Sequence, residues 1–250
     1  GALAALLLLL GSASAFKPHD FKTCSTASFC NRLRQSEPPP GLVLEGELTV
    51  AGAVATGTLV HAAGAGRFHL ALTALADGTV RIKVTEPGQA RYEVKDVLLD
   101  GFEAQTLAWK NWARTDDNTG MILRAGGTSG VEMIVTEAPF QVDIFVFGRA
   151  AASFNNRRFL AMEATQGAPP EGGSWEENFN SHKDSRPRGP NAVGFDVFFP
   201  GSEHVYGLPE RATSLSLKPT VSSDGTEHYS EPYRLYNLDV FEYLADSPFG

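Results

Sequence analysis

Cysteine is scarce: Cys24 and Cys30 are the only two in 250 residues. That excludes a zinc-finger array or a disulfide-dense scaffold. Long apolar runs are also missing. The best one, Ala2 to Leu10, falls well short of the ~20 residues that a membrane-spanning helix needs. Positive charge is in deficit, with 21 Lys and Arg against 29 Asp and Glu and a formal charge of −8. A chain with this balance is poorly suited to grip a phosphate backbone, which argues against nucleic-acid binding. No segment sustains a 3.6-residue apolar period, so a helical bundle or coiled coil is excluded. There is no P-loop, dinucleotide fingerprint, H-E-x-x-H or G-x-S-x-G motif, and no Asn-x-Ser/Thr acceptor.

What is present points to strands and turns. Apolar residues make up 42% of the chain, enough for a real core, and glycine and proline together supply 40 of the 250 residues. The first 15 residues run from an apolar stretch into Ala13-Ser14-Ala15, the small-x-small pattern of a signal-peptidase site. They read as a secretory leader lacking its basic start, with an N-terminal core helix as the alternative. Residues 16–41 form an arm holding Cys24, Cys30 and Pro38-Pro39-Pro40. The Cys-x5-Cys spacing behind a leader reads as a small disulfide loop in an oxidising lumen, with two free thiols as the alternative.

From Gly41 onward the period becomes two, and residues 42–250 read as one sandwich domain. Phe68, Leu70, Leu72 and Ala74 alternate with His69, Ala71 and Thr73, and Val80, Ile82 and Val84 form a second alternating run. Asp77-Gly78 between them predicts a hairpin. Val131, Met133 and Val135 continue the pattern, as do Val142, Ile144 and Val146, and then Val193, Phe195, Val197 and Phe199. Phe145, Phe147 and Phe198 fall on the opposite face of their runs, which predicts strands buried on both sides. The fold expected is mainly β, an antiparallel β-sandwich. Residues 165–191 interrupt the rhythm and read as a long loop, in which Trp175 and Phe179 argue against a plain linker.

Several passages carry a more specific signal. His204-Val205-Tyr206-Gly207-Leu208-Pro209-Glu210, then Ser216-Leu217-Lys218-Pro219, then Glu231-Pro232-Tyr233-Arg234-Leu235-Tyr236-Asn237-Leu238-Asp239 together resemble glycoside hydrolase family 31. Phe21 to Cys24, Phe29 to Arg32, Arg91 to Leu98, Pro139 to Asp143 and Phe179 to Ser185 are similar to the same family, in the same order. The resemblance runs from about residue 21 to the end and skips Ala104–Gly127 and Gly148–Gly173.

The resemblance implies a galactose-mutarotase-like N-terminal domain of a retaining α-glucosidase. Such enzymes use two carboxyl groups about 5–5.5 Å apart. In this family both sit on a (β/α)8 barrel, expected here beyond Gly250, so no catalytic residue is assigned within the chain, which alone is expected to be inactive. Asp239, in the motif Tyr236-Asn237-Leu238-Asp239, is implied as a substrate contact on the pocket wall. Its carboxylate would accept hydrogen bonds from sugar hydroxyls, and a structural turn or ion-pair role is the alternative. Tyr236 stands where several relatives have Trp. Also implied are N-linked glycans as substrate in the endoplasmic reticulum lumen, a lectin-bearing beta subunit as partner, and no metal or organic cofactor. The competing reading is a non-catalytic secreted carbohydrate-binding or scaffolding sandwich.

Overall fold

A computed structural model describes residues 26–30, 41–62, 66–89, 91–94, 100–165, 176–185, 189–207 and 215–217. The chain divides into two compact units. One comprises Arg32–Glu177 and Asp184–Gly201, the other Gly1–Asn31, Asn178–Lys183 and Ser202–Gly250.

The larger unit holds two antiparallel sheets. The first orders β1 (Leu42–Ala51), β2 (Val54–His61), β3 (Arg67–Leu75) and β4 (Val80–Thr85) side by side, and β5 (Thr106–Leu107) pairs with the end of β3. The second contains β6 (Trp109–Arg114), β7 (Gly120–Ala125), β8 (Val131–Thr136), β9 (Gln141–Val146) and β10 (Arg149–Phe154). Four short strands follow in sequence: β11 (Ala161–Met162), β12 (Glu176–Phe179), β13 (His182–Ser185) and β14 (Val193–Gly194). Then β15 (Val197–Phe198) joins the outer edge of β10 to complete the second sheet.

Period-two sequence explains the layering. In β3, Phe68, Leu70, Leu72 and Ala74 are fully buried, and in β8 Val131, Met133 and Val135 are buried. Both rows belong to one apolar cluster with Leu42, Leu59, Trp109, Leu123, Phe140 and Val142, so the two sheets share a single core. Each such Leu, Val or Phe contributes about 1.5–3 kcal/mol when withdrawn from water.

The Asp77-Gly78 hairpin forms as expected. Gly78 takes φ +91°, the Thr79 N–H donates to Asp77 Oδ1 at 2.9 Å, and the Leu75 N–H donates to Thr79 O at 2.8 Å. At the β7–β8 pairing Gly120 has no room for a side chain. A Cβ there would lie 2.2 Å from the Val135 carbonyl oxygen.

Three expectations change. Val193 to Phe199 is not one strand but two two-residue pieces, β14 and β15, that belong to different sheets. Asp196 lies between them, and its carboxylate and carbonyl are committed to the loop at 155–159. Nor are the phenylalanine-bearing strands buried on both faces. Phe147 leaves β9 at φ +49° and is 74% exposed, Phe198 is 50% exposed, and Phe145 is half-buried. Lastly, the stretch read as a long loop contains paired strands, β12 and β13. They are joined through Asn180 and Ser181 at φ +46° and +68°. Two consecutive positive φ values are what a tight two-residue hairpin turn requires.

Candidate functional site

Of the residues singled out in the sequence, Asp239, Tyr236, Asn237, Trp175 and Cys24 lie outside the described residues. Ser28 to Cys30 are helical, and Cys30 is held in a disulfide. Among the described residues no group of three or more His, Cys, Asp or Glu is placed to hold a metal ion, and no helix is long and apolar enough to cross a membrane.

Among the polar clusters of the larger unit, two join segments distant in sequence around the 155–165 and 189–196 stretches. The first is built on Glu86, at the end of β4. Its side chain is 7% exposed. Oε1 accepts the Thr165 N–H at 2.6 Å, and Oε2 accepts the Thr165 hydroxyl at 2.8 Å and Arg91 Nε at 3.1 Å. Burial is the largest influence on this carboxyl and opposes ionisation. The Thr165 and Arg91 donors together outweigh it and hold the pKa below the ordinary glutamate value. The Arg91 guanidinium reaches further. Nη1 donates to the Asn191 carbonyl at 2.8 Å and Nη2 to the Glu163 carbonyl. Glu163 in turn pairs with Ala192: its N–H donates to Ala192 O at 3.0 Å, and Oε2 accepts the Ala192 N–H at 3.1 Å. Beside this, β11 pairs with β14, and His61 Nε2 lies 2.8 Å from the Met162 carbonyl.

The second joint closes the β10 end. Asn155 is 1% exposed and sits at φ +65°, a conformation asparagine tolerates better than most residues. Its Nδ2 donates to Phe140 O, its Oδ1 accepts the Leu160 N–H at 2.7 Å, and its own N–H donates to Asp196 O at 2.9 Å. Asp196 returns two bonds, accepting the Arg157 N–H at 2.8 Å and the Phe159 N–H at 2.9 Å. Phe154 packs edge-to-face against the Phe140 ring and tilted against the Phe195 ring, with centroids at 6.4 and 5.8 Å.

The smaller unit contributes one contact between two family-like passages. Tyr206 bridges to Ser216, the Leu217 N–H donates to Val205 O at 2.8 Å, and Ser216 Oγ lies 3.3 Å from His204 Nδ1. The H-V-Y-G corner and the S-L segment therefore pair, with Gly207 at φ +119°. Chemically, the arrangement in both units is one of positioning. In the larger unit backbone amides and carbonyls are satisfied by carboxylate, guanidinium and amide groups.

The sequence reading missed Glu86, Thr165, Asn155 and Asp196. Their signals were faint. Asn155 lies in an Asn-Asn pair after an alternating run, a turn cue, while Glu86 and Thr165 are far apart in sequence and carry no local pattern.

Comparison with known proteins adds the identity of the domain. Residues 69–250 match the glycosyl hydrolase 31 N-terminal galactose mutarotase-like domain. The chain belongs to glycoside hydrolase family 31. Among curated family 31 relatives, a probable glucan 1,3-alpha-glucosidase of Oryza sativa subsp. japonica is 38% identical over 96% of this chain and 27% of its own length. Neutral alpha-glucosidase AB of Mus musculus is 34% identical over 98% of this chain and 29% of its own length. The chain thus spans under a third of the length of these relatives. A crystal structure of a glucosidase II alpha subunit, in a Glc1Man2-bound form, aligns with TM-score 0.73 and 30% identity over 92% of this chain and 28% of that one. A heterodimeric complex of the catalytic subunit with the binding domain of the regulatory subunit aligns with TM-score 0.71. Against this family 31 background, the passages that carried the resemblance fall on joints. Arg91 is the guanidinium of the first, Phe140 is bonded by Asn155 in the second, and Asn180-Ser181 turn the β12–β13 hairpin.

Proposed function

We propose that this chain is the N-terminal sandwich of a longer retaining α-glucosidase that trims glucose from N-linked glycans in the endoplasmic reticulum lumen. The observation that carries the reading is the family 31 match over residues 69–250, joined to relatives named as α-glucosidases and glucosidase II alpha subunits. Catalysis by two carboxyl groups then belongs to a barrel outside these 250 residues, and this part supplies the sandwich and a segment of the pocket wall. In this proposal residues 1–15 are a leader, 16–41 an arm closed by a Cys24–Cys30 disulfide, and 42–250 the sandwich leading to the barrel. Asp239 contacts the substrate, its carboxylate holding sugar hydroxyls in place without joining the bond-breaking step. The partner is the lectin-bearing beta subunit of glucosidase II. Support comes from the similar solved complex of an ER glucosidase II catalytic subunit with the binding domain of its regulatory subunit.

The experiment is to express the full reading frame that contains this segment and assay release of glucose from glucosylated N-glycans. Hydrolysis with retention at the anomeric carbon supports the reading, and absence of any α-glucosidase activity overturns it. In that protein Asp239→Ala is expected to raise KM at least tenfold. An unchanged KM removes the substrate role of Asp239 and leaves the family reading intact.

A further inference from the structure

Residues 155–159 form a loop whose backbone is pinned and whose two arginines face water. Asn155 and Arg158 both stand at left-handed φ, +65° and +64°. For a side chain as long as arginine that conformation is unfavourable, and it persists only where the surroundings enforce it. Here they do. The Arg158 N–H donates to Asn155 O at 3.1 Å, and the Leu160 N–H to Asn155 Oδ1 at 2.7 Å. Asp196 holds the loop from the other side, accepting the Arg157 N–H at 2.8 Å and the Phe159 N–H at 2.9 Å. Both arginines are exposed. Arg67, Arg91, Arg114 and Arg124 each pair with a glutamate. Among the described residues Arg157 and Arg158 pair with no carboxylate, although the chain has 29 acidic residues against 21 Lys and Arg. The Arg157 guanidinium lies 5.2 Å from the centre of the Phe159 ring instead.

We propose that the 155–159 loop, with the 195–199 segment bonded to it, is a docking surface for an acidic segment of a partner protein. Charge complementarity sets the sign of that partner. Two adjacent guanidiniums without carboxylates call for carboxylates, which arginine grips with two parallel hydrogen bonds. The net charge of −8 repels an acidic partner from the rest of the surface and so directs its encounter to this loop. The apolar border sets the class. Phe159 is 39% exposed, and Phe195, Phe198 and Phe199 are between 44% and 61% exposed. A free phosphate has nothing to place against phenylalanine, whereas an acidic stretch that also carries leucine or phenylalanine does. Arginine beside aromatic rings is the composition that carries most of the binding energy at protein interfaces. The loop backbone is already fixed, so docking spends little on ordering it. The proposal does not depend on the glucosidase reading.

Fluorescence anisotropy on the protein from the full reading frame tests this. The probes are a labelled peptide of alternating Glu and Leu, its Gln-Leu counterpart and its Lys-Leu counterpart. The Glu-Leu peptide is expected to bind at least about tenfold tighter than the Gln-Leu peptide, and to weaken as salt is raised to 1 M. The double substitution of Arg157→Glu and Arg158→Glu should reverse the preference, so that the Lys-Leu peptide binds tighter. Arg157→Gln with Arg158→Gln should erase it, and an unchanged urea midpoint in both variants shows that the fold is kept. Absence of binding, equal binding of the Glu-Leu and Gln-Leu peptides, or a preference that survives either double substitution overturns the proposal. So does displacement of the Glu-Leu peptide by inorganic phosphate at the same concentration, which would make the loop a free-anion site. Sedimentation velocity covers the remaining occupant. A dimer of the full-length protein that the Arg157→Glu, Arg158→Glu pair dissociates would assign the surface to a second copy and overturn the proposal as well.

Discussion

Asn155 shows how much one side chain can carry. Its Oδ1 accepts the Leu160 N–H, and its Nδ2 donates to the Phe140 carbonyl from a backbone conformation that suits asparagine. Asn155→Ala leaves two backbone groups without this partner and puts a residue that tolerates the left-handed region less well than asparagine at φ +65°. The expected loss is about 2–4 kcal/mol of unfolding free energy, measured by urea denaturation. Asn155→Asp, which sets a second acceptor against the Phe140 carbonyl at a buried site, should cost at least as much as alanine. Asp117 makes a different prediction. The Thr115 hydroxyl, the Thr119 N–H and the Thr119 hydroxyl all donate to it, holding its pKa at about 2, well below the ordinary aspartate value. A depressed carboxyl stabilises the folded turn above its unfolded pKa, and that contribution is lost as pH falls through the folded one. The β6–β7 turn should therefore keep its order at pH 5 and loosen between about pH 4 and pH 2, followed by the Thr119 amide chemical shift. Asp117→Asn should abolish that titration.

At the scale of single elements, the two turns differ in what they tolerate. Gly78 has nothing within 4 Å of a Cβ position, so only its positive φ opposes substitution, whereas at Gly120 a Cβ would collide with the Val135 backbone. Gly78→Ala is expected to cost about 1 kcal/mol. Gly120→Ala must push β7 away from β8 and should cost more than 2 kcal/mol; comparison of the two melting temperatures checks the order. These elements also show which parts of the fold could be read in advance. The β3–β4 hairpin and the β8 row were legible because each residue alternates and the turn residues are local. Val193 to Phe199 has the same alternation and was misread. The carboxylate of Asp196 is engaged by Arg157 and Phe159, 39 and 37 residues away, and this breaks the run into two pieces. A short-range pattern contains no trace of a long-range hydrogen bond. The family-like passages were legible as a set, yet their local roles were not, since Arg91 gives no sign in sequence of its bonds to residues 163 and 191.

For the molecule as a whole, the main physical fact is a run of partly exposed apolar side chains. Val193, Phe195, Val197, Phe198 and Phe199 are between 41% and 61% exposed in the larger unit. Contiguous exposed apolar surface drives association in water. With a net charge of −8 partly opposing it, the 250-residue chain is expected to self-associate above micromolar concentration. The double substitution of Phe198→Ser and Phe199→Ser should shift it toward monomer in sedimentation velocity. The sandwich has a consequence in time as well. The Asp77-Gly78 hairpin pairs residues at most 16 apart, whereas β10 must wait for Phe198, 45 residues beyond Ser153. Closing a short loop is fast, and pairing across a long one is slow. On a ribosome that emits about 5–20 residues each second, the β3–β4 hairpin is expected to be complete seconds before β15 has been synthesised. The nascent chain therefore carries an open β10 edge during that interval.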